Sequence, residues 1–140
     1  THYGAVPSHF SIITLVPLLL ELNKNSRVLE CGTGSGSMTL FLSQYLGKSG
    51  LLHTFDLTEE KCLEAKRKFL EWKLSYDLNS DNNNEKWAGN VKFGCTNFIK
   101  ENELENYFQN FYDAIYLDMA DLDLAMEKAY NMLKPNGVLV

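Results

Sequence analysis

The sequence predicts an open α/β fold built on a mostly parallel sheet. Two observations carry that prediction. Short apolar runs alternate with longer stretches of helical periodicity, an arrangement that joins consecutive strands by crossover connections. A glycine-rich turn also sits where the first clear apolar run hands over to a helix.

Taken in order, Arg27 to Cys31 (RVLEC) reads as a buried strand running into glycines. From Ser37 on, Met38, Leu40, Phe41, Leu42, Tyr45 and Leu46 recur at helical spacing, and Gly47 and Gly50 close that helix. Leu51 to Leu57 (LLHTFDL) is a second strand. Thr58 is placed to cap the next helix, which carries Cys62, Ala65, Phe69 and Trp72 on one face. The charged stretch Glu59 to Lys68 is its solvated side. Leu78 to Glu85 (LNSDNNNE) has nothing to bury and reads as a surface insertion. Val91 to Asn97 is a third strand, followed by a short helical stretch over 101–108. Asp113 to Met119 (DAIYLDM) is a fourth. A helix over 121–133 is stopped by Pro135 and Gly137, and Val138 begins a fifth strand. A chain ending inside a strand leaves it exposed, so native sequence is expected beyond Val140.

With 140 residues, the chain fits one sizeable core. No stretch approaches the roughly 20 apolar residues that a membrane span needs. Ile12 to Leu22 is the most apolar run, but Pro17 and Glu21 interrupt it, so a buried segment is expected. No basic region precedes that run, so it does not read as a signal peptide. Cys31, Cys62 and Cys95 are far apart with no CxxC pair, which suggests neither a disulfide framework nor a zinc site, and a reducing compartment. His53 reads as a strand residue, and no metal is expected. The net charge of −5, from 13 basic and 18 acidic residues, counts against a surface that grips nucleic acid unaided.

The strongest local signal is Glu30-Cys31-Gly32-Thr33-Gly34-Ser35-Gly36-Ser37. Glycines let the backbone approach a ligand, and the helix start offers free N–H groups. A dinucleotide turn has the spacing GxGxxG; here it is GxGxG, with Ser37 at the third dinucleotide position. Glu30, two residues before the first glycine, would repel a pyrophosphate but suits the cationic amino group of a methionine moiety. That favours S-adenosylmethionine. Asp56, 20 residues after Gly36, stands where such folds place a carboxylate for ribose hydroxyls. A dinucleotide site, or a tight turn with no ligand, are the competing readings. Asn97, ending the third strand, is placed either to accept from the adenine amino group or to serve as a turn residue. Cys31 reads as a small buried residue.

The segments ECGTGSGSMTLFL, HTFDLTEEKCLEAKRKFLEW, DAIYLDM and MLKPNGVL resemble the tRNA (adenine-N1)-methyltransferase family, which modifies the T-loop adenine. The similarity runs from about Asn23 to Val140. The stretch Thr1 to Pro7 is similar to one in the small N-terminal β domain of such enzymes, so residues 1–22 are expected to be its remnant and lead-in, and 23–140 the methyltransferase domain. The resemblance implies a Rossmann-like fold of the class I methyltransferase type, incomplete at its C-terminus. It assigns Glu30, Gly32, Thr33, Gly34, Ser35, Gly36, Ser37 and Asp56 to S-adenosylmethionine. It puts Asn97 where the family usually has an aspartate at the cofactor adenine. Asp118 becomes the active-site carboxylate; the alternative is a helix cap, for which Asp121 is better placed. Family members often follow that aspartate with a proline-containing turn, whereas this chain has Met119-Ala120-Asp121. Tyr3 or Tyr116 are candidates to stack on the target base, although Tyr116 lies in a buried strand.

The resemblance further implies tRNA as substrate and a multi-subunit enzyme, either paired with a non-catalytic subunit or a homotetramer, whose other chains supply basic surface. A nuclear, cytoplasmic or mitochondrial setting is compatible with it. Two other readings keep part of the case: a methyltransferase acting on a small molecule or protein, and a non-catalytic subunit that binds tRNA or a partner.

Overall fold

The computed structural model describes residues 22–34, 36–56, 58–78, 90–101, 103–119 and 121–139. Among these, strands β1 (Arg27–Cys31), β2 (Leu51–Phe55), β3 (Val91–Gly94), β4 (Tyr112–Leu117) and β5 (Leu133–Leu139) alternate with helices. The helices are α1 (Ser37–Tyr45), α2 (Glu59–Leu78), α3 (Leu104–Tyr107) and α4 (Leu122–Met132). The strands form one sheet in the order β3-β2-β1-β4-β5, with every pairing parallel. The chain winds outward from β1 to β3, then returns to lay β4 and β5 on the other side of β1. That reversal makes a switch point between β1 and β4, where ligands of open α/β sheets bind beyond the carboxyl ends of the strands.

Strand β1 lies at the centre and is covered on both faces, which is why its sequence is apolar without alternation. Leu29 and Cys31 face a cluster with Phe55, Phe98, Ile115, Ala125 and Met132. Val28 faces the opposite cluster, with Leu42, Leu46, Leu52 and Ala114. Leu22 is buried in that second cluster; the rest of the Ile12 to Leu22 run, the Thr1 to Pro7 stretch with Tyr3, and the Asn-rich tract after Leu78 lie outside the described residues.

Three expectations need correction. Trp72 is 41% exposed, while Cys62, Ala65 and Phe69 of the same helix are buried. The cause is length: 20 residues of helix span roughly 30 Å, whereas the five-residue strand β2 spans roughly 17 Å, so α2 outruns the sheet beyond Phe69. Strand β5 starts at Leu133, directly after α4, and not at Val138. Leu133 pairs with Tyr112 and Val138 with Ala114, with a register shift between them and Asn136 at φ 67°. Pro135 is tolerated because β5 is an edge strand among those described. Asp121 does occupy the N-cap position of α4, but its side chain makes no capping hydrogen bond.

Candidate active site

The glycine turn leaves β1 at the switch point. Gly32, Gly34 and Gly36 all have positive φ, at 107°, 54° and 87°. A Cβ on Gly32 would stand 1.9 Å from the carbonyl oxygen of Asp118, so only glycine lets the end of β1 pass the end of β4. The Asp118 N–H donates to the Cys31 carbonyl at 2.8 Å, which fixes this aspartate beside the turn. Burial holds the Asp118 carboxyl above the usual aspartate range. The N-cap position of the following helix belongs to Asp121, three residues beyond Asp118.

Asp56 closes the other flank. Its carboxylate accepts from the Gly34 N–H at 2.9 Å and from the Thr58 N–H at 2.9 Å, bracing the turn against the start of α2. Each oxygen keeps a further lone pair that can meet a ribose hydroxyl.

Glu30 is fully buried. Its Oε1 accepts from the Thr39 hydroxyl of α1 at 2.5 Å and from the Thr54 hydroxyl of β2 at 2.7 Å. Thr33 and Thr54 hydroxyls lie 2.7 Å apart. Oε2, equally buried, has no partner among the described residues. Burial pushes the Glu30 carboxyl up to about 7 against the pull of the two threonine hydroxyls, with Asp118 and Asp56 adding to the rise. A buried, unpaired carboxylate oxygen is costly, and such atoms occur where a ligand completes the set.

Asn97 behaves as a turn residue. Its side-chain oxygen accepts from the Ile99 N–H at 3.0 Å, and its carbonyl accepts from Lys100 and Glu101. Ser35 lies outside the described residues; Ser37 opens α1, with its side chain likewise outside them. Tyr116 is half-buried against the α1-side cluster, and burial, then Asp118 and Glu30, push its hydroxyl up.

The cysteine expectation is overturned in part. Cys62 and Cys95 form a disulfide, with Cα atoms 5.4 Å apart, and the case for a reducing compartment loses its basis. Their separation of 33 residues hides a contact created by the β2–α2–β3 crossover. The bond ties the first turn of α2 to the end of β3, between Asp56 and Asn97. Cys31 is free and buried, and burial, then Glu30, push its thiol well up. His53 is a buried strand residue whose Nδ1 meets the Tyr112 hydroxyl at 2.5 Å.

The fold is that of the S-adenosylmethionine-dependent methyltransferases. It superposes on an S-adenosylmethionine-dependent O-methyltransferase from Thermotoga maritima with a TM-score of 0.70 at 21% identity, covering 98% of this chain and 43% of that one. More narrowly, the chain belongs to the tRNA methyltransferase complex GCD14 subunit family, which matches residues 9–140. It is 32% identical to a tRNA (adenine(58)-N(1))-methyltransferase of Thermus thermophilus over 98% of its own length and 47% of that protein. It is 28% identical to a tRNA (adenine(58)-N(1))-methyltransferase catalytic subunit of Dictyostelium discoideum, over 91% of this chain and 37% of that one. The chain therefore spans about half the length of these relatives, or less.

Proposed function

We propose that this chain carries the catalytic core of a tRNA adenine-N1 methyltransferase acting on the T-loop adenine, position 58 in the relatives' names. The observation that carries the reading is the buried, unpaired Oε2 of Glu30 beside a glycine turn that Asp56 and Asp118 flank. That donor set fits S-adenosylmethionine: an acid for the ammonium, a carboxylate for the ribose, and a side-chain-free bend between them. It does not fit a pyrophosphate, which would meet three acids.

S-adenosylmethionine, when bound, supplies an electrophilic methyl group. Glu30 would hold its amino-acid end and Asp56 its ribose, with the glycine turn between them; Asn97 would border the adenine. Adenine N1 offers a free lone pair at neutral pH, so the chain need not provide a base. Its contribution is orientation. Methylated at N1, adenine becomes cationic; a carboxylate accepting from the exocyclic amino group stabilises that charge and selects adenine by the same contact. Asp118 stands at the carboxyl end of β4, next to the turn, and fills that role. A T-loop adenine must first leave its stack.

The acidity of the chain, −5 overall, supports a partner that provides basic tRNA-binding surface, either a non-catalytic subunit or further copies of this chain. The test is mass spectrometry of tRNA nucleosides after incubation with isotope-labelled cofactor, for wild type and Asp118→Ala. The expected result is labelled 1-methyladenosine from wild type, and its loss in the variant. Product only after a second subunit is added would select the heteromeric form. Label in protein or small molecules, with none in tRNA, would refute the reading.

A further inference from the structure

Glu30 is held in an asymmetric grip that the glycine motif does not explain. Among the described residues, the two hydroxyl donors that reach it, Thr39 from α1 and Thr54 from β2, converge on Oε1. A threonine hydroxyl has one proton. Because Thr54 spends its proton on Glu30, the 2.7 Å contact with Thr33 must run the other way, Thr33 donating to Thr54. The result is a directed chain from Thr33 through Thr54 to Oε1, met by a second donor from Thr39. All three threonines are buried, so water cannot substitute freely for any of them.

Resting on the cofactor reading above, we propose that Thr39 and Thr54 are positioning residues that grip Oε1 and so present Oε2 bare to the ammonium group of the cofactor's amino-acid end. The charged and titratable groups around Glu30 are consistent with that task. Asp56 from the end of β2, Asp118 and Tyr116 from β4, and Cys31 within β1 are all acids; Lys128 of α4 acts on Cys31, and among the described side chains α1 contributes the neutral Thr39. No cation acts on Glu30 itself, so a negative charge on Oε2 is balanced by a proton or by a cationic ligand. Before the ligand arrives the proton holds the place; the ammonium then displaces it to solvent. Cofactor binding is thereby coupled to proton release, with the carboxyl near 7 setting the midpoint. Thr39 and Thr54, which pull the carboxyl down, keep that midpoint within the physiological range.

The experiment is calorimetric titration of the intact protein with S-adenosylhomocysteine, which has the ammonium, and with methylthioadenosine, which lacks it. Titrations use buffers of different ionisation enthalpy. For wild type near pH 7, S-adenosylhomocysteine should release about half a proton and methylthioadenosine none. Thr39→Val should cut the preference for S-adenosylhomocysteine roughly tenfold and move the midpoint upward, with methylthioadenosine affinity kept. Thr39→Ser, which restores the hydroxyl, should restore both. Proton release equal for the two ligands in wild type, or an unchanged preference and midpoint in Thr39→Val, would overturn the grip while leaving the cofactor reading in place. If Thr39→Val loses methylthioadenosine as well, the fold has suffered, and Thr54→Val and the wild-type proton count decide. Failure of wild type to bind either nucleoside would remove the cofactor reading itself.

Discussion

Two buried titratable sites lie within the same sheet, on neighbouring strands, and they differ in completeness. Towards the amino end of β4, the His53 ring nitrogen meets the Tyr112 hydroxyl, with Phe108 and Phe111 packed around the pair. Nearby, Asp113 accepts from the Arg27 N–H and from Lys134. Every one of these polar groups has a partner. At the carboxyl end, Glu30 is equally enclosed, yet one of its oxygens has none among the described residues. The lesson is that burial alone does not mark a site. A satisfied buried pair is architecture, and an unsatisfied one is where a ligand is wanted.

The largest effect is expected at Gly32. A Cβ there collides with the Asp118 backbone, and the positive φ adds strain, so Gly32→Ala should cost about 4 kcal/mol, read by thermal or denaturant unfolding. A fully stable variant would show that β1 and β4 are free to part. Next comes the Cys62–Cys95 bond, which closes a loop of 33 residues. Chain entropy assigns it about 3–4 kcal/mol, so a reductant or Cys62→Ser should lower the unfolding free energy by that amount, with two free thiols appearing in the reduced protein. Free thiols at both positions in untreated protein would contradict the bond.

The two buried groups should also oppose each other in pH. Burial, then Lys92, hold His53 down near 4, so the unfolded chain binds the extra proton and stability is lost as pH falls from about 6.5 to 4. Glu30, raised to about 7, contributes stability that is present in acid and is lost as pH rises from about 4.5 to 7. Each swing is on the order of 2–3 kcal/mol, and together they flatten the ligand-free profile between about 4.5 and 6.5. His53→Phe should leave stability falling with pH across that window, and Glu30→Gln should leave it rising. The smallest effect belongs to a half-buried pair at the rim of the sheet: Lys134→Ala, which removes a 2.9 Å contact with Asp113, should change stability by less than about 1 kcal/mol.

Much of this was legible in the sequence because it is written locally. Arg27–Cys31 and Tyr112–Leu117 are apolar runs that no helix period explains, and the glycine spacing announces a turn. The five parallel strands and their helices follow from alternation alone. What the sequence concealed depends on tertiary neighbours. Trp72 keeps helical phase with Phe69, and only the length of α2 relative to the sheet exposes it. Cys62 and Cys95 meet because a crossover lays α2 beside β3. Thr39 and Thr54 are unremarkable in a helix and a strand, and no motif joins them; their convergence on Glu30 comes from α1 packing on the face of the sheet that carries the even-numbered residues of β1. Asn97 carried two readings, and its bond to Ile99 shows the turn.

The nucleoside that the open acid at the end of β1 accepts defines the site. Competition calorimetry between S-adenosylhomocysteine and NAD on wild type and Glu30→Gln puts that directly. S-adenosylhomocysteine should bind wild type, lose affinity in Glu30→Gln, and be undisturbed by NAD. Displacement by NAD, or equal affinity in the two proteins, would contradict it.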